Sequence, residues 1–153
     1  MFRHGVGLYY INLPTDNDTA MEDNISAITT VRASKVEVSV RAEHVPDVIL
    51  PDGAYYFGYQ ITIHNIGKTP FRLISRRWSI TDGNGKTREI SGEGVIGKQP
   101  RITPSYAFTY ASYVDLPTPA GSMEGIYLMR TDEDDEFEAE IPRFSLYVPG
   151  KVH

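Results

Sequence analysis

From Lys35 onward, apolar and polar side chains alternate nearly one for one, and a period of two restricts the chain to extended, half-buried strands. Val36, Val38, Val40 and Ala42 fall on one side of the first such segment, with Lys35, Glu37, Ser39, Arg41 and Glu43 on the other. Pro51-Asp52-Gly53 then supplies a turn, since Pro presets φ and Gly accepts a positive one. Tyr55, Phe57, Tyr59, Ile61 and Ile63 repeat the pattern against Tyr56, Gln60, Thr62 and His64, and Asn65 to Pro70 turns the chain again. Between Phe71 and Asp82 the phase changes: Phe71 and Leu73 are apolar at odd positions, Ile74, Trp78 and Ile80 at even ones. Either a β-bulge or burial on both faces accounts for this. Asp82-Gly83-Asn84-Gly85 reads as a tight hairpin with a two-residue loop. Further strands are expected over Tyr106–Ser112, Met123–Arg130 and Glu136–Val148, where Pro142 marks a bulge or a passage from one sheet to the other. About seven strands and no sustained helical period specify an all-β, antiparallel β-sandwich.

The 153 residues suit one domain with one core. Without Cys there is neither a disulfide framework nor a thiolate metal site. Met1 to Pro14 lacks the apolar stretch of a signal peptide, and no apolar run reaches the length that spans a bilayer, so a cytoplasmic protein without a membrane anchor is expected. Residues 1–30 are expected to form a flexible N-terminal extension, in which Thr19-Ala20-Met21-Glu22 has the spacing of a helix capping box and Met21 is a second plausible start. The domain proper is expected over residues 31–153.

A net charge of −5 argues against a general nucleic-acid binder. The charge is unevenly spread: basic residues dominate from Lys68 to Arg101, acids from Asp115 to Glu140. If these segments lie apart, the asymmetry could steer a partner or a second copy of the chain; if their strands are neighbours, the charges pair.

Gly92-x-Gly94-x-x-Gly97 matches the dinucleotide-binding fingerprint as a string. That chemistry needs a following helix whose N-terminus meets the pyrophosphate, and Pro100 and Pro104 oppose one. A structural loop is expected instead, with a small-anion site as the functional alternative, built from Gly92, Gly94, Gly97, Lys98 and Arg101. Asp132-Glu133-Asp134-Asp135-Glu136 resembles a calcium loop only superficially, because Phe137 stands where the turn needs Gly, and a solvated hairpin tip is expected. His44 and His64 are too weakly patterned to name metal ligands, so none is assigned, and no catalytic residue or cofactor is assigned either. Alternation puts Arg76 and Trp78 on one face with Ile80. Either Trp78 is core and Arg76 sits at the core's edge paired with an acid, or the two form an exposed protein-binding platform of hot-spot residues.

Three segments in fixed order carry a family resemblance: Ser75-Arg76-Arg77-Trp78-Ser79-Ile80-Thr81-Asp82, Gly92-Glu93-Gly94-Val95-Ile96-Gly97-Lys98-Gln99-Pro100 and Thr118-Pro119-Ala120-Gly121-Ser122-Met123-Glu124-Gly125-Ile126-Tyr127, closed by Glu140-Ile141-Pro142-Arg143-Phe144-Ser145-Leu146. Together they resemble the ApaG family over residues 30 to 150. Ser105 and Tyr113 depart from it, standing where the family often has Gly. The resemblance implies an immunoglobulin-like or fibronectin type III-like sandwich and no agreed catalytic reaction. It also implies a phenotypic link to magnesium and cobalt tolerance, and kinship with partner-recognition domains of F-box and polymerase-interacting proteins. The function expected is therefore a non-enzymatic protein-interaction or regulatory module with a protein partner. The alternative is a sensor of a nucleotide, pyrophosphate or phosphate at the glycine-rich loop.

Overall fold

The computed structural model describes residues 28–33 and 35–150. Its strands are β1 (Thr29–Arg32), β2 (Val36–His44), β3 (Tyr55–Asn65), β4 (Phe71–Asp82), β5 (Thr87–Glu93), β6 (Arg101–Ile102), β7 (Ala107–Leu116), β8 (Ala120–Thr131) and β9 (Glu136–Tyr147). One sheet has the order β1-β2-β3-β7 and the other β5-β4-β8-β9, with β6 on β4 where β5 has left it. Every pairing is antiparallel. The described residues thus form the expected all-β sandwich. The two strands beyond the seven expected, β1 and β6, are too short to show alternation. β1 begins at Thr29, just inside the segment expected to be an extension; the capping box and Met21 lie outside the described residues.

The core lies between the sheets. Val38, Val40, Phe57, Ile61 and Ile63 from the first meet Leu73, Ile80, Met123, Tyr127 and Met129 from the second, all of them buried. Each such side chain contributes roughly 1.5–3 kcal/mol relative to exposure.

Two bulges explain the changes of phase. In β4 the register against β8 shifts between Leu73 and Ser75, leaving Ile74 as the extra residue, so that Arg76, Trp78 and Ile80 point inward while Arg77 and Ser79 point out. In β9, Met123 pairs with Phe144 and Gly125 with Ile141, so Glu124 alone faces both Pro142 and Arg143. Proline is tolerated there because β9 is an edge strand and the bulge removes the need for its N–H. The strand stays in its own sheet.

The hairpin after β4 differs from the two-residue loop expected. Asp82 N–H donates to Lys86 O at 2.9 Å and Gly85 N–H to Asp82 O at 3.0 Å, which closes a loop over Gly83, Asn84 and Gly85. Gly85, at φ 83°, supplies the left-handed residue of a three-residue hairpin. Asp82 Oδ1 explains the choice, since it accepts the N–H groups of Asn84 and Lys86 at 2.8 and 3.1 Å.

The basic and acidic segments are neighbours through β4 and β8, and two ion pairs join them. Arg101 meets Asp132 at 2.6 Å and Arg88 reaches across from β5 to Asp115 of β7 at 3.3 Å, while within the acidic segment Arg130 meets Glu136 at 2.7 Å. Arg101 holds the Asp132 carboxyl below the usual range, chiefly through that hydrogen bond.

Candidate functional site

The Arg76–Trp78 face is internal. Trp78 is 2% exposed, and its ring meets Tyr59 edge-on at a centroid distance of 5.5 Å and Phe144 at 6.0 Å. This corrects the exposed Arg–Trp platform: the Ile74 bulge turns the face toward the partner sheet, where the largest side chain has most surface to bury. Among the described residues Arg76 pairs with no acid. Its Nη1 donates to the carbonyls of Glu93 and Gly94, at 3.0 and 2.8 Å, so the guanidinium ties the end of β5 to β4 from beneath.

Three phenols lie close to that guanidinium. Tyr110 and Tyr127 share a 2.5 Å hydroxyl–hydroxyl hydrogen bond between the sheets. Burial pushes the Tyr59 phenol up to about 12, partly offset by the Ser112 hydroxyl and the Arg76 charge, and burial raises Tyr110 and Tyr127 as well. Ser112 Oγ, although buried beside Tyr59, lies outside good hydrogen-bond geometry with any described group.

The glycine-rich stretch is strand, turn and strand. Gly92 belongs to β5, where an added Cβ would lie 3.1 Å from both Nη atoms of Arg76. Val95 and Lys98 exchange both backbone hydrogen bonds, at 2.8 and 2.9 Å, around Ile96 at φ 45° and Gly97 at φ 76°, the two positive values of a type I′ turn. Gly94 N–H is taken by Ile74 O at 2.8 Å. An anion nest needs free N–H groups, and those of Gly94, Val95 and Lys98 are already given to carbonyls. Of the two basic residues assigned to such a site, Arg101 is bound to Asp132 and Lys98 sits exposed in the turn. Of the five residues, Gly94 is buried while Gly97, Lys98 and Arg101 are exposed.

The turn between β8 and β9 closes through Asp134 N–H to Thr131 O at 3.0 Å, with Asp134 at φ 68°, and its acids are exposed, as a solvated hairpin tip requires. His44 lies against the rings of Tyr55 and Phe57, and His64 lies 3.8 Å from Glu37. Among the described residues no group of three or more His, Asp or Glu is placed to hold a metal ion.

One concave feature was not visible in any motif. A groove of about 470 Å³ opens on the outer face of the second sheet, where Arg77, Glu89, Glu124, Glu138 and Glu140 surround Ile126. Pairing assembles it from four strands: Ser79 joins Glu89 to Glu124, and Ile126 joins Arg77 to Glu140. Gly125 lets β8 settle against β4, since an added Cβ would come within 2.4 Å of Arg77 O and 3.1 Å of Trp78 Cε3. An apolar centre ringed by charge is the anatomy of a binding surface. Only knowledge of strand order and register could have found it, because its residues lie on β4, β5, β8 and β9.

Among the described residues no helix is long and apolar enough to cross a membrane. A protein-family model described as "ApaG domain" matches residues 50–131. A "Protein ApaG" of Aromatoleum aromaticum is 47% identical over 120 residues, covering 78% of this chain and 94% of that protein. Another, of Xanthomonas oryzae pv. oryzae, is 48% identical with the same coverage. A crystal structure titled as the putative ApaA protein from Bordetella pertussis superposes with a TM-score of 0.73 at 38% identity, over 79% of this chain and 99% of that one. This chain belongs to the ApaG family.

Proposed function

We propose that this chain is a non-enzymatic binding module that acts in the cytoplasm on a protein partner. The observation that supports it is the groove on the second sheet, whose apolar centre at Ile126 is ringed by Glu89, Glu124, Glu138 and Glu140 with Arg77 as the opposing charge. Such a surface favours a partner that offers an apolar contact among basic side chains. Any link to magnesium or cobalt tolerance then runs through the partner. The glycine-rich turn favours an anion sensor less, since its backbone donors are engaged.

The test is affinity capture from native lysate with wild-type bait and with Glu124→Lys/Glu140→Lys bait, after circular dichroism shows both to be folded. A specific partner should be held by the wild type and lost by the double variant. Retention of every partner at wild-type strength would remove the groove as the recognition surface.

A further inference from the structure

The connection between β2 and β3, residues 45–54, presents an exposed apolar tip. Ile49 is 90% exposed and Val48 37%, with Pro46 and Pro51 exposed on either side. A single exposed apolar side chain is ordinary on a protein surface. Here the apolar residues are consecutive, and the loop that holds them is braced. Val45 N–H donates to Tyr56 O at 2.8 Å and Gly53 N–H to Leu50 O at 3.0 Å, while Asp52 Oδ1 accepts Ala54 N–H at 3.1 Å. Two prolines restrict the backbone further. A tip held in place loses little freedom on binding, which is the condition under which a small apolar contact yields affinity.

Charge decides among the possible occupants. Asp47 and Asp52 flank the tip, and both are exposed. The net charge of −5 opposes the approach of a second copy overall, and an anionic lipid surface would repel these carboxylates. A protein pocket with an apolar floor and a rim of Lys or Arg attracts both features at once. We propose that the β2–β3 loop is a docking knob, in which Ile49 enters an apolar pocket of a protein partner and Asp47 and Asp52 meet its basic rim. The proposal rests on the reading of the chain as a binding module but not on the groove, which opens on the other sheet.

The experiment uses the full chain with a benzophenone amino acid at Ile49, at Glu124 in the groove, or at Lys86 as an exposed control. After irradiation in native lysate, the protein joined at Ile49 is identified, purified and titrated with wild type, Ile49→Ser, Ile49→Leu and Asp47→Lys/Asp52→Lys. Ile49→Ser should weaken binding at least about 10-fold and Ile49→Leu should stay within about 3-fold, with melting temperatures unchanged. The double charge reversal should weaken binding and flatten its dependence on salt, and the cross-link should map to an apolar pocket rimmed by Lys or Arg. Equal binding by Ile49→Ser, a cross-link from Ile49 to a second copy, or Ile49-dependent binding to phosphatidylglycerol vesicles would each overturn the proposal. If Glu124→Lys/Glu140→Lys loses the partner while Ile49→Ser keeps it, the binding module stands and the knob falls; if no position captures a partner, both fall.

Discussion

Gly94 and Gly97 share a positive φ but not the same constraint. An added Cβ at Gly97 meets nothing within 4 Å, whereas at Gly94 it would lie 2.1 Å from Lys98 O. Gly97→Ala should therefore cost only the left-handed backbone penalty, about 1–2 kcal/mol. Gly94→Ala must also displace the strand-like Val95–Lys98 bridge, and a loss of about 3 kcal/mol or more is expected. Urea melts of the two variants decide this, and equal losses would mean that the turn yields freely at Gly94. The sequence identified both glycines as turn residues, since spacing and the nearby prolines exclude a nucleotide-binding helix. It could not rank them, because the atom that makes Gly94 indispensable belongs to a carbonyl folded back over it. Arg76 and Trp78 show the same limit. Alternation placed them on one face, but only the Ile74 bulge and the opposing sheet make that face the inside.

At the scale of elements, the long strands were legible and the short ones were not. β2, β3 and β4 carry enough alternating residues to be read directly, while β6 has two residues and owes its existence to the edge that β5 leaves on β4. Turns were legible where a residue type forces a conformation. Tyr106 N–H donates to Thr103 O at 3.0 Å around Pro104 and Ser105, and Ser105 has φ 71°, the second central position of a type II turn that glycine suits best. Ser105 is strained where the family resemblance leads one to expect Gly. Ser105→Gly should raise stability by up to about 1 kcal/mol, the relief of left-handed strain exceeding glycine's extra entropy in the unfolded chain. A thermal melt checks it, and a lowered melting temperature would show that the Ser105 side chain makes a compensating contact.

For the whole molecule, the buried phenols predict how the sandwich responds to alkali. In the unfolded chain tyrosine ionises near 10, whereas Tyr59 is pushed up to about 12 and Tyr110 and Tyr127 are raised as well. A folded state that holds its protons more tightly keeps this stability in full below pH 10 and loses it as pH rises through the folded values. The urea midpoint should therefore fall steadily from pH 9.5 to about pH 12, and less steeply in Tyr110→Phe, which removes one of the three groups. A midpoint independent of pH over that range would mean that the phenols ionise without opening the core.

Periodicity alone determined that this chain makes strands with one wet and one dry side, because side chains on an extended backbone must alternate whatever surrounds them. Three ordered segments were enough to indicate the family. Which dry sides met, and hence that Trp78 is core and not a platform, was decided by tertiary structure. So was the meeting of Arg88 with Asp115 and of Arg101 with Asp132, and so was the assembly of Arg77, Glu89, Glu124, Ile126 and Glu140 into a single groove. The physical reason is common to all three: strand order and register are set by contacts between residues far apart in the chain, and local spacing carries no record of them.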